Sequence, residues 1–514
     1  VSVTGAPRQD NGGSVPEAGE GIDAETLARV TGGQLLQRSP RRARGAAVDS
    51  RRLRPGNVFV ALPGSRTDGH QFLTQAVAAG AAALLVTRPP VDPRALGDVT
   101  VVMVDDGLAA LHRLAAWWRS RFDPVVVGVT GSFAKTSTKE AIAAVLAPHR
   151  VVLKSPGNEN NEIGLPLAVL ELDEGHQVAV LEMGMYVGGE IRDLCRIARP
   201  RVGVVTAVGP VHAARAGSLE AIEAAKAELV DALPSDGTAV LNGDDLRVRR
   251  MAGRARGRVV LYGFGPRVDV TAEEVEGAGW EGMRFRLRLG GEGWPVHLPM
   301  LGRLAVQNAL AAAAVAWVLG LDGEAIAHGL GAGWPVPRRG EVHRIGGIAL
   351  IDDSYNASPG SVTAALEMLG GLPGRRVAIL GEMLELGPYH DEGHRQVGEA
   401  AARTVDLLCV VGGAGPAAPL VEAALQSGLS AEAVVVADDA EGARRLMEPL
   451  LQPGDVVLIK ASRGVGLDRL VDALRADLAA REGSSPAARE DSSLAGRQTG
   501  SSAGAGGGGE GTAG

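Results

Sequence analysis

The hydrophobic pattern of this chain switches rhythm many times. Short unbroken runs of Val, Ile and Leu alternate with longer stretches in which apolar residues recur every three or four positions. The runs read as strands buried on both faces and the stretches as amphipathic helices, a combination that predicts parallel sheets covered by helices. Between 21 and 123, "NVFVAL", "AALLV" and "VTVVMV" read as strands, "QFLTQAVAAGA" and "GLAALHRLAAWWRSRF" as helices. Between 124 and 336 the strand runs are "PVVVGVTG", "QVAVLEMG", "RVGVVTAVG" and "GTAVLNGDD". Between 337 and 482 they are "IALIDDS", "RRVAILGE", "LLCVVGG", "AVVVADD" and "DVVLIKAS". Residues 1–20 and 483–514 are polar and Gly-, Ser- and Ala-rich, and are expected to be disordered tails. The pattern therefore predicts an α/β chain of three domains, 21–123, 124–336 and 337–482. In such sheets ligands bind beyond the carboxyl ends of the strands.

Composition narrows the class. The 514 residues carry a net charge of −8, which argues against a nucleic-acid binder. The basic stretch "RSPRRARGAAVDSRRLRPG" reads as a solvated face or a site for a small anion. Cys195 and Cys409 lie far apart in apolar surroundings and read as buried thiols of a reducing compartment, with no zinc spacing. The apolar stretch "ALAAAAVAWVLGL" is too short to cross a bilayer, and no signal core is seen, so a cytoplasmic location without membrane insertion is expected.

Lysine usage adds chemistry. Of 52 Lys plus Arg residues only five are lysines: Lys135, Lys139, Lys154, Lys226 and Lys460. Lys135 lies in "GSFAKTSTKE", which follows the strand run "VVVGVT" and opens a helix. Strand, Gly-containing loop, Lys-Thr and helix is the layout of a nucleotide-phosphate cradle. Gly131, Ser132, Ala134, Lys135, Thr136 and Ser137 would line it, Thr136 offering a hydroxyl to Mg²⁺. The pattern wants glycine before the lysine, where this chain has Ala134; if that position needs φ > 0, alanine costs about 1–2 kcal/mol. A coincidental strand–turn–helix is the other reading. Glu182 ends "VAVLE" and His212 follows "VGVVTAVGPVH", both past strand ends on the same predicted edge. Each is either structural or, with Thr136, part of a divalent-metal site.

"SLEAIEAAKAELVDALP" predicts a helix capped by Ser218 and stopped by Pro234. Leu219, Ile222, Leu229 and Leu233 form its apolar stripe, and Lys226 falls on the buried face, four residues after Ile222 and three before Leu229. Either the side chain snorkels to solvent, or CO₂ converts its amine to a carbamate, an anionic metal ligand. Arginine cannot do the second readily, because its guanidinium stays protonated.

These motifs together resemble the Mur ligase family, the ATP-dependent amide ligases of peptidoglycan precursor synthesis, over about 21–480. "VDSRRLRPGNVFVALPGSRTDGHQF" is similar to the domain that holds the UDP-sugar, with Ser50, Arg51, Asp68, Gly69 and His70 matching. "NENNEIGLPL" is similar to the substrate segment, with Asn160 and Asn161. "LEMGM", "VGPVH" and "AAKAEL" match the family's metal-binding Glu, metal-binding His and carboxylated lysine, here Glu182, His212 and Lys226. "AVQNALAAAA" supplies the adenine-contacting Asn308. "VPRRGEVHRIGGIALIDDSYNASP" supplies Arg339 and Asp353 for the nucleotide, and Asn356; the usual Gly-Arg is Arg338-Arg339 here. "IKASRG" supplies Lys460 and Arg463, near the incoming amino compound.

The resemblance implies an N-terminal UDP-sugar-binding α/β domain, a central P-loop-type parallel-sheet ATPase domain and a C-terminal Rossmann-like domain. "DDSYNASP" and "GEMLELG" favour the family member that adds D-Ala-D-Ala to a UDP-N-acetylmuramoyl-tripeptide through an acyl phosphate. ATP, two Mg²⁺ ions and a CO₂-derived carboxylate on Lys226 are the implied cofactors, and a monomer is expected. The alternatives are a sister ligase acting on another UDP-muramoyl peptide, and a weakened nucleotide- or precursor-binding homologue.

Overall fold

A computed structural model describes residues 21–64 and 67–484. The tails expected at 1–20 and beyond Ser484 lie outside the described residues; the last helix, Leu467–Ser484, reaches two residues past the boundary read at 482. The structure is mixed α/β with three sheets. The chain divides into two compact units. The first contains the two N-terminal sheets; the second runs from Pro335 and also takes in Gly277–Gly282 and Leu301–Arg303.

In the first unit, a five-stranded sheet has the order Gln34–Gln37, Thr100–Met103, Ala83–Val86, Val58–Val60, Ala46–Ala47. Only the first pair is antiparallel. The runs read as strands form its centre; Val58–Val60 and Ala83–Val86 are fully buried and Thr100–Met103 is buried except at Met103, as expected for strands covered on both faces. The helix Gly107–Arg119 starts where Asp106 accepts hydrogen bonds from the amides of Leu108 and Ala109. Its inward face, with Leu111, Leu114 and Trp118, joins one core cluster with Leu165, Ile191, Leu194 and Leu229 of the next block. The Trp118 indole N–H donates to Leu172 O at 3.0 Å. Arg44, Arg52 and Arg54 reach Asp173, Glu159 and Glu171, so much of the basic stretch is paired within this unit.

The second sheet has nine strands. Six parallel ones lie in the order Arg258–Tyr262, Thr238–Asn242, Val202–Val205, Val125–Thr130, Val178–Glu182, Val152–Lys154. The strand Val125–Thr130 pairs on one side with Val178–Glu182 and on the other with Val202–Val205. Successive crossovers therefore leave it in opposite directions, which makes its carboxyl end the switch point where such sheets open a binding crevice. The remaining strands, Val270–Gly277, Met283–Leu289 and Glu292–Leu298, were not anticipated. "MRFRLRL" alternates buried positions with exposed or half-exposed ones, and Gly290-Gly291, both at positive φ, turn it into an antiparallel hairpin. The Ala-rich helix Arg303–Val318 is buried over most of its surface, and no described helix is long and apolar enough to cross a membrane.

In the second unit, six strands have the order Glu341–Ile345, Ile348–Asp352, Asp455–Lys460, Arg375–Gly381, Leu407–Val411, Val434–Ala437. All but the first pair are parallel, and helices cover both faces through two core clusters.

Candidate active site

The loop at the switch point is built by close approach. A Cβ on Gly131 would sit 1.9 Å from the Thr206 hydroxyl oxygen, so glycine is required there. Ser132 is held by Ala207 O through its amide, and its hydroxyl is linked to Gly209. Ala134 precedes the helix Lys135–Leu146 with φ 64° and ψ −1°. The loop thus keeps the left-handed shape that glycine usually supplies, at a cost of about 1–2 kcal/mol for alanine. The Lys135 amine donates to Gly131 O at 2.8 Å, and Ser137 follows it in the first turn.

Glu182, at the carboxyl end of the neighbouring strand, is 1% exposed. Its Oε2 accepts the Thr136 hydroxyl at 2.8 Å and its Oε1 accepts Asn160 Nδ2 at 2.7 Å. The structure therefore joins three predicted residues directly. Asn161 caps its own segment instead, accepting the amides of Ile163 and Gly164. Asn308 is buried and accepts the Thr138 hydroxyl at 3.1 Å, so it lies against the helix that follows the phosphate loop.

His212 follows the strand Val202–Val205 in the left-handed conformation, φ 66°, with its ring edge-on to Tyr186 at 4.9 Å. The Tyr186 ring lies 4.3 Å from the Arg215 guanidinium carbon. Lys226 sits in the helix Leu219–Ala232, whose Ser218 cap accepts the Ala221 amide, as predicted. Lys226 is 2% exposed, which disposes of the snorkelling reading. Burial, and after it the charge of nearby Lys135, pushes its amine well below the ordinary lysine range.

In the N-terminal sheet's loops, Asp68 accepts the His70 amide and its ring Nδ1, and pairs with Arg88. His70 Nε2 accepts the Thr87 amide, so Nδ1 carries the ring proton and donates it to Asp68. These hydrogen bonds, first the His70 amide, hold the Asp68 carboxyl well below its usual range. A Cβ on Gly69 would crowd Leu62 N at 2.8 Å. Ser50 donates to Gln75, and Arg51 pairs with Asp49 on the surface.

In the second unit, Asp353 and Lys460 leave the carboxyl ends of adjacent parallel strands. The Lys460 amine donates to Asp353 Oδ2 at 2.6 Å and to Asn356 O at 3.0 Å. Tyr355 gathers the arginines: the Arg339 guanidinium carbon lies 4.2 Å from its ring centroid and that of Arg463 lies 5.3 Å away. Arg338, standing for the usual glycine, adopts φ 58°, again the glycine shape on a bulky residue. Ala134 and His212 in the first unit, and Arg338 in the second, thus each sit in a conformation that costs non-glycine residues energy.

Sequence reasoning missed Ser155, Lys139 and Tyr355. Ser155 Oγ accepts the Glu182 amide at 3.1 Å, and nothing in "KSPGN" announces that. It missed a second acid–imidazole group as well: ligand atoms of Glu341, His343 and Asp352 lie within 4.8 Å of one another, with the Arg338 guanidinium 3.8 Å from Asp352.

Comparison with known proteins gives the family. Family models match in three successive stretches: the Mur ligase family catalytic domain at 43–119, the Mur ligase middle domain at 129–316 and the Mur ligase glutamate ligase domain at 338–463. The chain belongs to the Mur ligase family. It is 38% identical to the UDP-N-acetylmuramoyl-tripeptide--D-alanyl-D-alanine ligase of Mycobacterium tuberculosis, over 88% of this chain and 97% of that protein. It is 36% identical to the Bacillus subtilis ligase of the same name, over 84% and 93%. A crystal structure of MurF from Acinetobacter baumannii superposes with a TM-score of 0.80 at 29% identity, covering 90% of this chain and all of that one. MurF from Thermotoga maritima in complex with ADP superposes at 0.75 and 31% identity, covering 85% and 99%.

Proposed function

We propose that this chain is an ATP-dependent ligase that joins D-Ala-D-Ala to UDP-N-acetylmuramoyl-tripeptide in peptidoglycan precursor synthesis. The observation that carries the reading is the Asn160–Glu182–Thr136 chain of hydrogen bonds, which ties a substrate segment to a phosphate loop at a switch point. Its full-length likeness to ligases of that name supports the choice of substrates. The terminal carboxylate of the tripeptide attacks the γ-phosphorus of ATP, giving an acyl phosphate and ADP. The amine of D-Ala-D-Ala attacks the acyl carbon, and phosphate leaves with the amide formed. Lys135 offsets charge on the transferring phosphoryl group, and the Gly131–Ala134 backbone cradles the phosphates. Asn308 would contact the adenine, Arg339 and Asp353 the rest of the nucleotide, and Lys460, Arg463 and Asn356 the incoming dipeptide. Ser50, Arg51, Asp68, Gly69 and His70 would bound the UDP-sugar, with Asn160 and Asn161 along the peptide.

The residues fit magnesium. Thr136 Oγ1 donates to Glu182 Oε2 at 2.8 Å, so a hydroxyl and a carboxylate oxygen, the kind of ligand Mg²⁺ takes, lie side by side. Magnesium bound there would neutralise phosphate charge and reduce the repulsion between carboxylate and γ-phosphate. His212 and a carboxylated Lys226 would complete a second site. Lys226 suits that modification: both influences on its amine favour the neutral, nucleophilic form, and a carbamate would exchange repulsion by Lys135 for attraction. The reading carries with it a cytoplasmic monomer.

The test is phosphate release with each substrate omitted in turn. Release that requires ATP, the UDP-tripeptide and D-Ala-D-Ala together is expected. UDP-tripeptide binding without release would identify a binding protein instead, and release without the dipeptide a plain ATPase. Mass spectrometry of the product checks the amide.

A further inference from the structure

Lys139 takes no part in the chemistry above, yet its side chain is 0% exposed. Its amine donates to Ser155 O and Gly157 O, each at 2.6 Å, and lies 3.0 Å from Glu140 Oε1. A buried amine needs acceptors, and here its donors have a carboxylate and two carbonyls. What it grips matters more than that it is satisfied. Ser155 and Gly157 open the segment that carries Asn160 and Asn161. The same segment is tied to the Glu182 strand end at three further points. Ser155 Oγ accepts the Glu182 amide at 3.1 Å, Asn160 Nδ2 donates to the Glu182 carboxylate at 2.7 Å, and Asn160 O accepts the Gly184 amide at 2.7 Å. Thr136, three residues before Lys139 on one helix, closes the circuit by donating to Glu182. One helix thus holds the phosphate loop at its start and the substrate segment one turn later.

We propose that Lys139 is a positioning residue that sets the 155–161 segment, so that the tripeptide carboxylate arrives in register with the phosphate loop. This rests on the ligase reading. It predicts that the loss of Lys139 weakens handling of the peptide substrate far more than handling of ATP, although Lys139 lies on the nucleotide helix. A side chain that only stabilised the helix would affect both alike.

The experiment is steady-state kinetics on the full chain, varying ATP and UDP-tripeptide separately, for wild type, Lys139→Met, Lys139→Arg and Ser155→Ala. Lys139→Met should raise KM for the UDP-tripeptide about tenfold or more while KM for ATP moves less than about twofold. Lys139→Arg, which keeps charge and donors, should recover part of that loss. Ser155→Ala, which removes the tie at the other end, should show the same split to a smaller extent, and it decides the matter if Lys139→Met does not fold. Parallel changes in the two KM values, or no change in either, would overturn the proposal. A wild type that turns over neither substrate would instead sink the ligase reading and is seen in the same experiment.

Discussion

The helices Lys135–Leu146 and Leu219–Ala232 each carry a lysine with almost no exposed surface, Lys139 at 0% and Lys226 at 2%. Lys139 is surrounded by acceptors: two carbonyls and a carboxylate. For Lys226, burial disfavours the charged amine, and the like charge of Lys135 adds to that. Equal burial therefore has opposite meanings. An amine that is fully paired has had its reactivity removed and can only hold things in place. An amine whose surroundings disfavour its charged form gives up its proton more readily, and the deprotonated form is the one that reacts with CO₂. The contrast separates an anchoring role from a chemical one without reference to where either lysine falls in the sequence.

The sharpest way to break this contrast is Lys226→Ala. If a carbamate there is a metal ligand, turnover should fall by about a thousandfold or more, with part restored by added formate or acetate, measured as phosphate release. Near-normal turnover would place Lys226 with the inert lysines. Lys139→Met tests the other side. Leaving two buried carbonyls without a donor should cost about 2–4 kcal/mol, read as a lowered denaturation midpoint at unchanged slope. Lys226→Met should not show that loss.

A pH series refines the comparison further. Because burial depresses Lys226, the folded chain binds fewer protons than the unfolded chain between the depressed value and the ordinary 10.5. Stability of the CO₂-free protein should therefore rise with pH across that window, by about 1.4 kcal/mol per pH unit from this group. Lys226→Met should lose that dependence, so its advantage in Tm over wild type is greatest at the acid end and shrinks toward 10.5. The smallest effect concerns the loop. Ala134→Gly relieves a left-handed alanine and should stabilise by about 1 kcal/mol with ATP affinity unchanged or improved. A large loss of affinity, by calorimetric titration, would mean the loop is built around the methyl group.

Much of this was legible in the chain. The central strands follow from runs such as "VVVGVT" because strands covered on both faces have no polar side to show. Lys226 was legible because its distances from Ile222 and Leu229 put it on the apolar face. The hairpin Met283–Leu289 with Glu292–Leu298 is signalled too, by the alternation of its first strand and its Gly-Gly turn, although its second strand, "EGWPVHL", is less regular. Lys139 was not legible: a lysine in the first turns of a polar "KTSTKE" reads as solvent-facing, and its acceptors are backbone carbonyls, which any sequence supplies. Tyr355 likewise gains its role from arginines brought from before its strand and from after the strand beside it.

The core cluster that contains both Trp118 and Leu229 has a consequence for how the first unit comes apart. Neither N-terminal layer can be cut out without baring a broad oily face, so residues 21–123 and the block that follows should melt as a single cooperative transition. A scanning calorimetry trace of the excised first layer should show no sharp endotherm at all.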